Sequence, residues 1–231
     1  MNKTKNYFIN NLIVLVLIML PVLSAYSYLD MDSLLNDLNK EGLTFDDYQQ
    51  CVTYYYLNPD PDKLIRVFKA DISDDYRVTD VGSFMAFKHF IATVAYNDEK
   101  FLEKLKGLEG QYSGVQQEAI QKILKHLEDY ESPLPDCAIH LDYLWVEFMA
   151  TGDEKPVKKI IDALNLPYNK NKKNPTDRDL DDAITKYSAK WSLRSNAEQH
   201  KKVLEIIEKE AQSAKGPLKK ELEEILSDVS H

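Results

Sequence analysis

Glycine is scarce in this 231-residue chain, with 7 residues, and cysteine is scarcer, with 2. With so few glycines there is no Gly-rich phosphate loop and no dinucleotide-binding fingerprint, both of which need the backbone to approach a phosphate closely. No G-x-S-x-G accompanies the serines, so a nucleophile elbow is unsupported. H-E-x-x-H is missing as well. Asn58-Pro59-Asp60-Pro61-Asp62 comes nearest to a calcium loop but lacks its Gly and terminal Glu. Long alternating Val/Ile/Thr runs are also lacking, which argues against sheet. The abundant residues are helix formers (Leu, Lys, Glu, Asp, Ala), and the chain reads as all-α.

Acidic residues are absent from residues 1–27, which hold Lys3 and Lys5. An apolar run from Leu12 to Leu23 follows, then small residues at Ser24, Ala25 and Ser27. This is the layout of a secretory signal peptide. Twelve apolar residues span roughly 18 Å as a helix, against a hydrocarbon core of about 30 Å. Pro21 would break a spanning helix. The expectation is therefore cleavage near Ala25 or Tyr28, export to the periplasm or medium, and no stable membrane insertion afterwards. An uncleaved N-terminal anchor is the alternative. Residues 28–231 are expected to form a single all-helical domain.

Positive charge is in deficit. The chain carries 29 basic and 38 acidic residues, a net charge of −9. Without Lys3 and Lys5 the balance is 27 against 38, or −11. Nucleic acid and anionic lipid want basic patches, so nucleic acid is not an expected partner; a protein or peptide is. In an oxidising compartment Cys51 and Cys137 could close a loop of roughly 86 residues as a disulfide. The competing reading is two buried thiols acting as small hydrophobes.

Helical segments follow one another with short breaks. Asp32–Lys40 ends at Gly42, and Thr44 caps the next helix. That helix carries Phe45, Tyr48, Cys51, Val52, Tyr55 and Tyr56 in one stripe before Asn58-Pro59 stops it. Further helices are expected over 62–72, from Thr79 or Asp80 to Tyr96, and over 99–108, 113–130, 136–150 and 155–164. The one between 80 and 96 is apolar too far round to lie on a surface. Residues 167–176 (PYNKNKKNPT) read as a loop. Thr176-x-x-Asp179 opens the C-terminal helices, 177–229, which break near Asn196 and at Gly216-Pro217.

Three segments resemble one another: YYYLNPDPDKLIRVFKAD (54–71), ATVAYNDEKFLEKLKGL (92–108) and EFMATGDEKPVKKIIDAL (147–164). Each has a helix end bearing an aromatic, a polar break containing Asp, then Lys63, Lys100 or Lys155 and an apolar face. Over residues 44–165 the arrangement resembles divergent tetratricopeptide-like helical repeats. It lacks their W-x-x-L-G-x-x-Y signature and has irregular spacing. The resemblance implies helix-pair packing and carries no functional residue. The expected architecture is antiparallel helical hairpins stacked as a short irregular α-solenoid, with a compact irregular bundle as the alternative.

The chemistry-bearing candidates are few. Cys137 and His140 share a helix face, as a metal pair or a thiol with its base might. The bland reading makes Asp136 the helix cap, Cys137 buried and His140 half exposed. His140, Asp142, Ser195, Asn196 and His200 form a candidate polar pocket, or a network holding a helix break. Trp145 and Trp191 are both expected in the core. Tyr54, Tyr55 and Tyr56, with Lys170, Lys172 and Lys173 of the basic loop, are candidate partner contacts, since exposed Tyr is common at interfaces. No catalytic residue, metal or cofactor is assigned. The sequence thus points to an exported bacterial helical protein, a non-catalytic binding or scaffold module. The alternative is a small metal- or thiol-dependent hydrolase centred on Cys137 and His140.

Overall fold

Asp recurs at the start of helices throughout the computed structural model, which describes residues 31–75, 78, 81–167 and 174–229. Those residues form eleven α-helices and no strand. The chain is all-α. No described helix is long and apolar enough to cross a membrane. Residues 1–27, the Thr79/Asp80 cap and Lys170, Lys172 and Lys173 lie outside the described residues.

The helices are α1 (Met31–Lys40), α2 (Phe45–Thr53), α3 (Pro61–Ile72), α4 (Val81–Asn97), α5 (Glu99–Lys106), α6 (Gly114–Glu128), α7 (Ala138–Thr151), α8 (Glu154–Asp162), α9 (Asp177–Gln199), α10 (Lys201–Ser213) and α11 (Gly216–Val229). Short 3₁₀ turns cover Tyr55–Leu57 and Ala163–Asn165.

The three similar segments now have a physical explanation. The Asp60 carboxylate accepts the Lys63 amide at 2.9 Å. Asp98 accepts those of Lys100 and Phe101, and Asp153 that of Lys155. Each Asp is the N-cap that satisfies amides otherwise orphaned in the first turn. Thr176 and Asp179 form a full capping box on α9. In the second and third segments the helix before the break packs on the one after it, α4 on α5 and α7 on α8. The first segment departs from the sequence expectation. Its leading helix stops at Thr53, and Tyr55–Leu57 wind as a 3₁₀ turn, so Tyr55 and Tyr56 do not continue the stripe of α2.

The chain divides into two compact units. The first runs to Cys51 and resumes over Asp60–Glu128. Here α1 packs on α3, α3 on α5, and α4 on both α5 and α6. Helix α4 is buried almost all round, through Phe84, Phe87, Phe90, Ile91 and Val94, as its predominantly apolar sequence requires. Buried His89 sits 3.1 Å from His126. Burial first, then the charges of His89 and Lys88, push the His126 pKa down.

The second unit comprises Val52–Pro59 and the chain from Asp129 onward. Helix α9 is its hub, packed against α7, α8, α10, α11 and the turn Ala163–Asn165. Trp145, Phe148, Val157, Ile160, Leu193, Val203, Ile207 and Leu222 fill the core. The turn Tyr55–Leu57 packs on α7. Gly152 ends α7 at φ +67°, and a Cβ there would lie 2.9 Å from the Tyr56 ring. Only glycine permits both that backbone and that approach.

Candidate functional site

Helix α9 is built inside out. Most of its inward face is small or polar: Asp182, Thr185, Ala189, Ser192 and Asn196 are all buried, alongside Leu193. Such side chains let four helices crowd one axis. Its outward face carries the bulk, with Leu180 at 49% exposure, Ile184 at 57%, Tyr187 at 57% and Trp191 at 45%. The spacings between them are 4, 3 and 4 residues, which keeps them on one face of a helix. Scattered exposed apolar residues are ordinary, whereas these four line one helix face. Trp191 therefore departs from expectation, whereas Trp145, 1% exposed, is core as expected.

Charges flank the ridge unevenly. On one side Lys186 and Lys190 engage Glu221, Lys190 also reaches Glu224, and Arg194 reaches Asp228, all on α11. On the other side stand the exposed Asp177 and Asp181.

Three polar groups in the same unit were candidates for chemistry. In the first, the Asp136, Cys137 and His140 ligand atoms lie within 4.8 Å of one another, the one such group of three among the described residues. His140 Nδ1–H donates to Asp136 Oδ1 at 2.6 Å and to the Leu134 carbonyl at 3.0 Å. That fixes the tautomer and leaves Nε2 as the basic nitrogen, as in a metal-binding histidine supported by a carboxylate. If Asp136 is that support, Cys137 and His140 are two ligands where zinc takes three or four. The N-cap position belongs to Cys137, whose side chain makes no capping bond, and Cys137 is half-buried. Asp136 is thus engaged with His140 rather than capping α7. Nearby Asp142, half-buried, has its pKa pushed up to about 7 by desolvation.

The second group, not singled out from the sequence, joins Ser132, Glu147 and Lys159. Buried Glu147 accepts from the Ser132 hydroxyl at 2.6 Å and from the Tyr130 hydroxyl at 3.2 Å. Lys159 Nζ donates to Ser132 Oγ at 2.7 Å and to the Ser132 and Pro133 carbonyls. With these three bonds Lys159 clamps the loop at Ser132 and Pro133. These residues are far apart in sequence and carry no motif, which is why they were not read from it.

The third group surrounds His200, which is both the last cap of α9 and the first of α10. His200 Nδ1 lies 3.1 Å from the Tyr56 hydroxyl. Tyr54, Tyr56 and Phe148 enclose the ring at centroid distances of 4.9, 5.9 and 5.8 Å. Burial pushes the His200 pKa down to about 4, so the ring is neutral. Its Nε2 and the Trp145 indole nitrogen are buried without hydrogen-bond partners. Ser192 and Asn196 serve the helix itself: Asn196 Nδ2 donates to the Ser192 carbonyl, and the Asn196 carbonyl accepts the His200 amide.

The candidate pocket residues therefore belong to two places. His140 is held by Asp136, Leu134 and the Tyr143 ring, and His200 by Tyr54, Tyr56 and Phe148. Asn196 accepts the His200 amide, and Asp142 shares helix α7 with His140 but not its face. Tyr55 is buried, and Tyr54 and Tyr56 are half-buried. Among the described residues, the tyrosines that reach solvent most fully are Tyr96 and Tyr187. Cys51, buried in the first unit, and Cys137, in the second, are both free thiols. Desolvation pushes the Cys51 pKa up to about 12. No family model, no curated protein and no solved structure matches the chain.

Proposed function

We propose that the protein is an exported, non-catalytic helical module that binds protein, and that the outward face of α9 receives an amphipathic helix. The observation that carries this is the ridge Leu180, Ile184, Tyr187 and Trp191, bulky and exposed on a helix whose buried face, Leu193 apart, is small or polar. An apolar ridge at these spacings is the usual complement of a helix presenting its own i, i+3, i+4 residues. The leader supports export. The absence of a catalytic motif and the structural use of Lys159 and His200 agree with a binding role.

The test places a photo-cross-linking residue at Ile184 in cells and identifies what it captures, with Lys158 as the control position. A specific adduct at 184 alone supports the reading, and equal labelling at both positions contradicts it. The N-terminus of the protein recovered from the cell envelope tests export. It should begin near Ala25 or Tyr28, and a retained Met1 in the cytosol contradicts export.

A second reading, metal or thiol chemistry at Cys137 and His140, is favoured by the hydrogen bond that frees His140 Nε2. Cobalt(II) titration tests it. A thiolate-to-metal absorption band lost in Cys137→Ser would support that reading, and its absence would reject it.

A further inference from the structure

The ridge on α9 is complementary to itself, and we propose that its occupant is α9 of a second copy of this chain, packed antiparallel. This rests on the reading of that face as a docking surface. Extended by one residue at each end, the exposed series is Asp177, Leu180, Ile184, Tyr187, Trp191 and Arg194, every member exposed. Its spacings are 3, 4, 3, 4 and 3, the alternation of a coiled-coil seam, and they read the same in both directions.

Turned end for end about the point midway between Thr185 and Lys186, the series meets itself in complementary layers. Ile184 faces Tyr187, Leu180 faces Trp191, and Asp177 faces Arg194, each pair occurring twice by the two-fold axis. Aliphatic side chains meet aromatic ones, so bulk is shared evenly along the seam. Opposite charges close both ends, with the Arg194 guanidinium shared between Asp177 of the second copy and Asp228 and Glu198 of its own chain. A parallel pairing in register would set Trp191 against Trp191, Asp177 against Asp177 and Arg194 against Arg194, with like charges opposed at each end. An isologous two-fold contact of this kind is the commonest route to a homodimer.

The seam is about 26 Å long at about 1.5 Å per residue. Four apolar side chains per copy cover less than the roughly 800 Å² per partner of a standard interface, the size of a weak or transient contact. The layers formed by Asp177 and Arg194 set orientation more than strength.

The test is sedimentation equilibrium of the purified full chain between about 1 and 200 µM. The wild type should dimerise. Asp177→Arg and Arg194→Asp should each weaken association about tenfold or more, and the double variant should recover to within about threefold. Rescue by the double swap is specific to the antiparallel register. Because Asp177 also lies in the first turn of α9 and Arg194 also pairs with Asp228, Ile184→Gln serves as an independent variant, expected to abolish dimerisation with unchanged thermal stability. Self-pairing is overturned by a monomer across the whole range, or by association indifferent to all four variants, as aggregation through the apolar leader would be. A monomer that still yields a specific heterologous adduct at position 184 rejects self-pairing and leaves the docking surface standing. A monomer with no adduct rejects both.

Discussion

The hydroxyl of Tyr56 lies 3.1 Å from Nδ1 of His200, across 144 residues of chain. This hydrogen bond ties the short excursion Val52–Pro59 to the junction of α9 and α10. It is made by a neutral imidazole among aromatic rings, so its loss exposes nothing to water that could replace it.

Tyr56→Phe should therefore destabilise the second unit by about 1 kcal/mol, and by up to about 3 if Nδ1 is left without any partner. Urea unfolding followed by the fluorescence of buried Trp145 measures this. An unchanged midpoint would show that the bond contributes nothing.

Two groups of this unit respond to pH in opposite senses. The Asp142 pKa stands at about 7, above its ordinary 3.8, so ionisation is penalised in the fold. Its penalty begins near pH 4, grows as pH rises and is complete above about 7. The His200 pKa stands at about 4, below its ordinary 6.5, so protonation is penalised and stability is lost as pH falls from 6.5 towards 4. Between those limits the two slopes oppose each other. Asp142→Asn should match wild type near pH 4 and exceed it by about 1–3 kcal/mol at pH 8. Equal stability of the two proteins at pH 8 would contradict the shift assigned to Asp142.

Local signals were legible in the sequence and long-range ones were not. Thr176 with Asp179 announced a helix start because a cap and its amides lie within four residues. The repeated Asp–Lys breaks were visible for the same reason, although the role of Asp60, Asp98 and Asp153 as the caps emerged only from geometry. Leu180, Ile184 and Tyr187 were not read as an exposed face and Trp191 was expected in the core, because which face of α9 turns inward depends on its neighbours. Asp182, Thr185 and Ser192 face inward where several elements converge on α9, beside the buried Leu193. The Glu147–Ser132–Lys159 clamp was invisible because its members lie on a loop and two helices.

Gly152→Ala should cost about 1–3 kcal/mol, from a left-handed backbone forced on alanine and from the contact with Tyr56. In a Tyr56→Ala background the steric part vanishes, so a double-mutant cycle should show the two changes coupled. Simple additivity would place the whole cost in the backbone.

The caps offer a matched pair of tests. Asp98→Ala and Asp153→Ala should each lower stability by about 1 kcal/mol, with Asp→Asn substitutions nearly neutral. Thermal unfolding by circular dichroism measures both. If Asn fails to substitute, the charge rather than the accepted hydrogen bond is what the helix uses.

Trp191 reports directly on the claim that the outer face of α9 is an association surface, since Trp145 is buried whether or not anything docks there. The decisive measurement is the emission maximum of the wild type and of Ile184→Gln as concentration rises from about 1 to 200 µM. Docking of a second α9 predicts a shift to shorter wavelength with concentration in the wild type and none in the variant. A maximum that stays at long wavelength throughout, with the wild type and the variant superimposed, would contradict it.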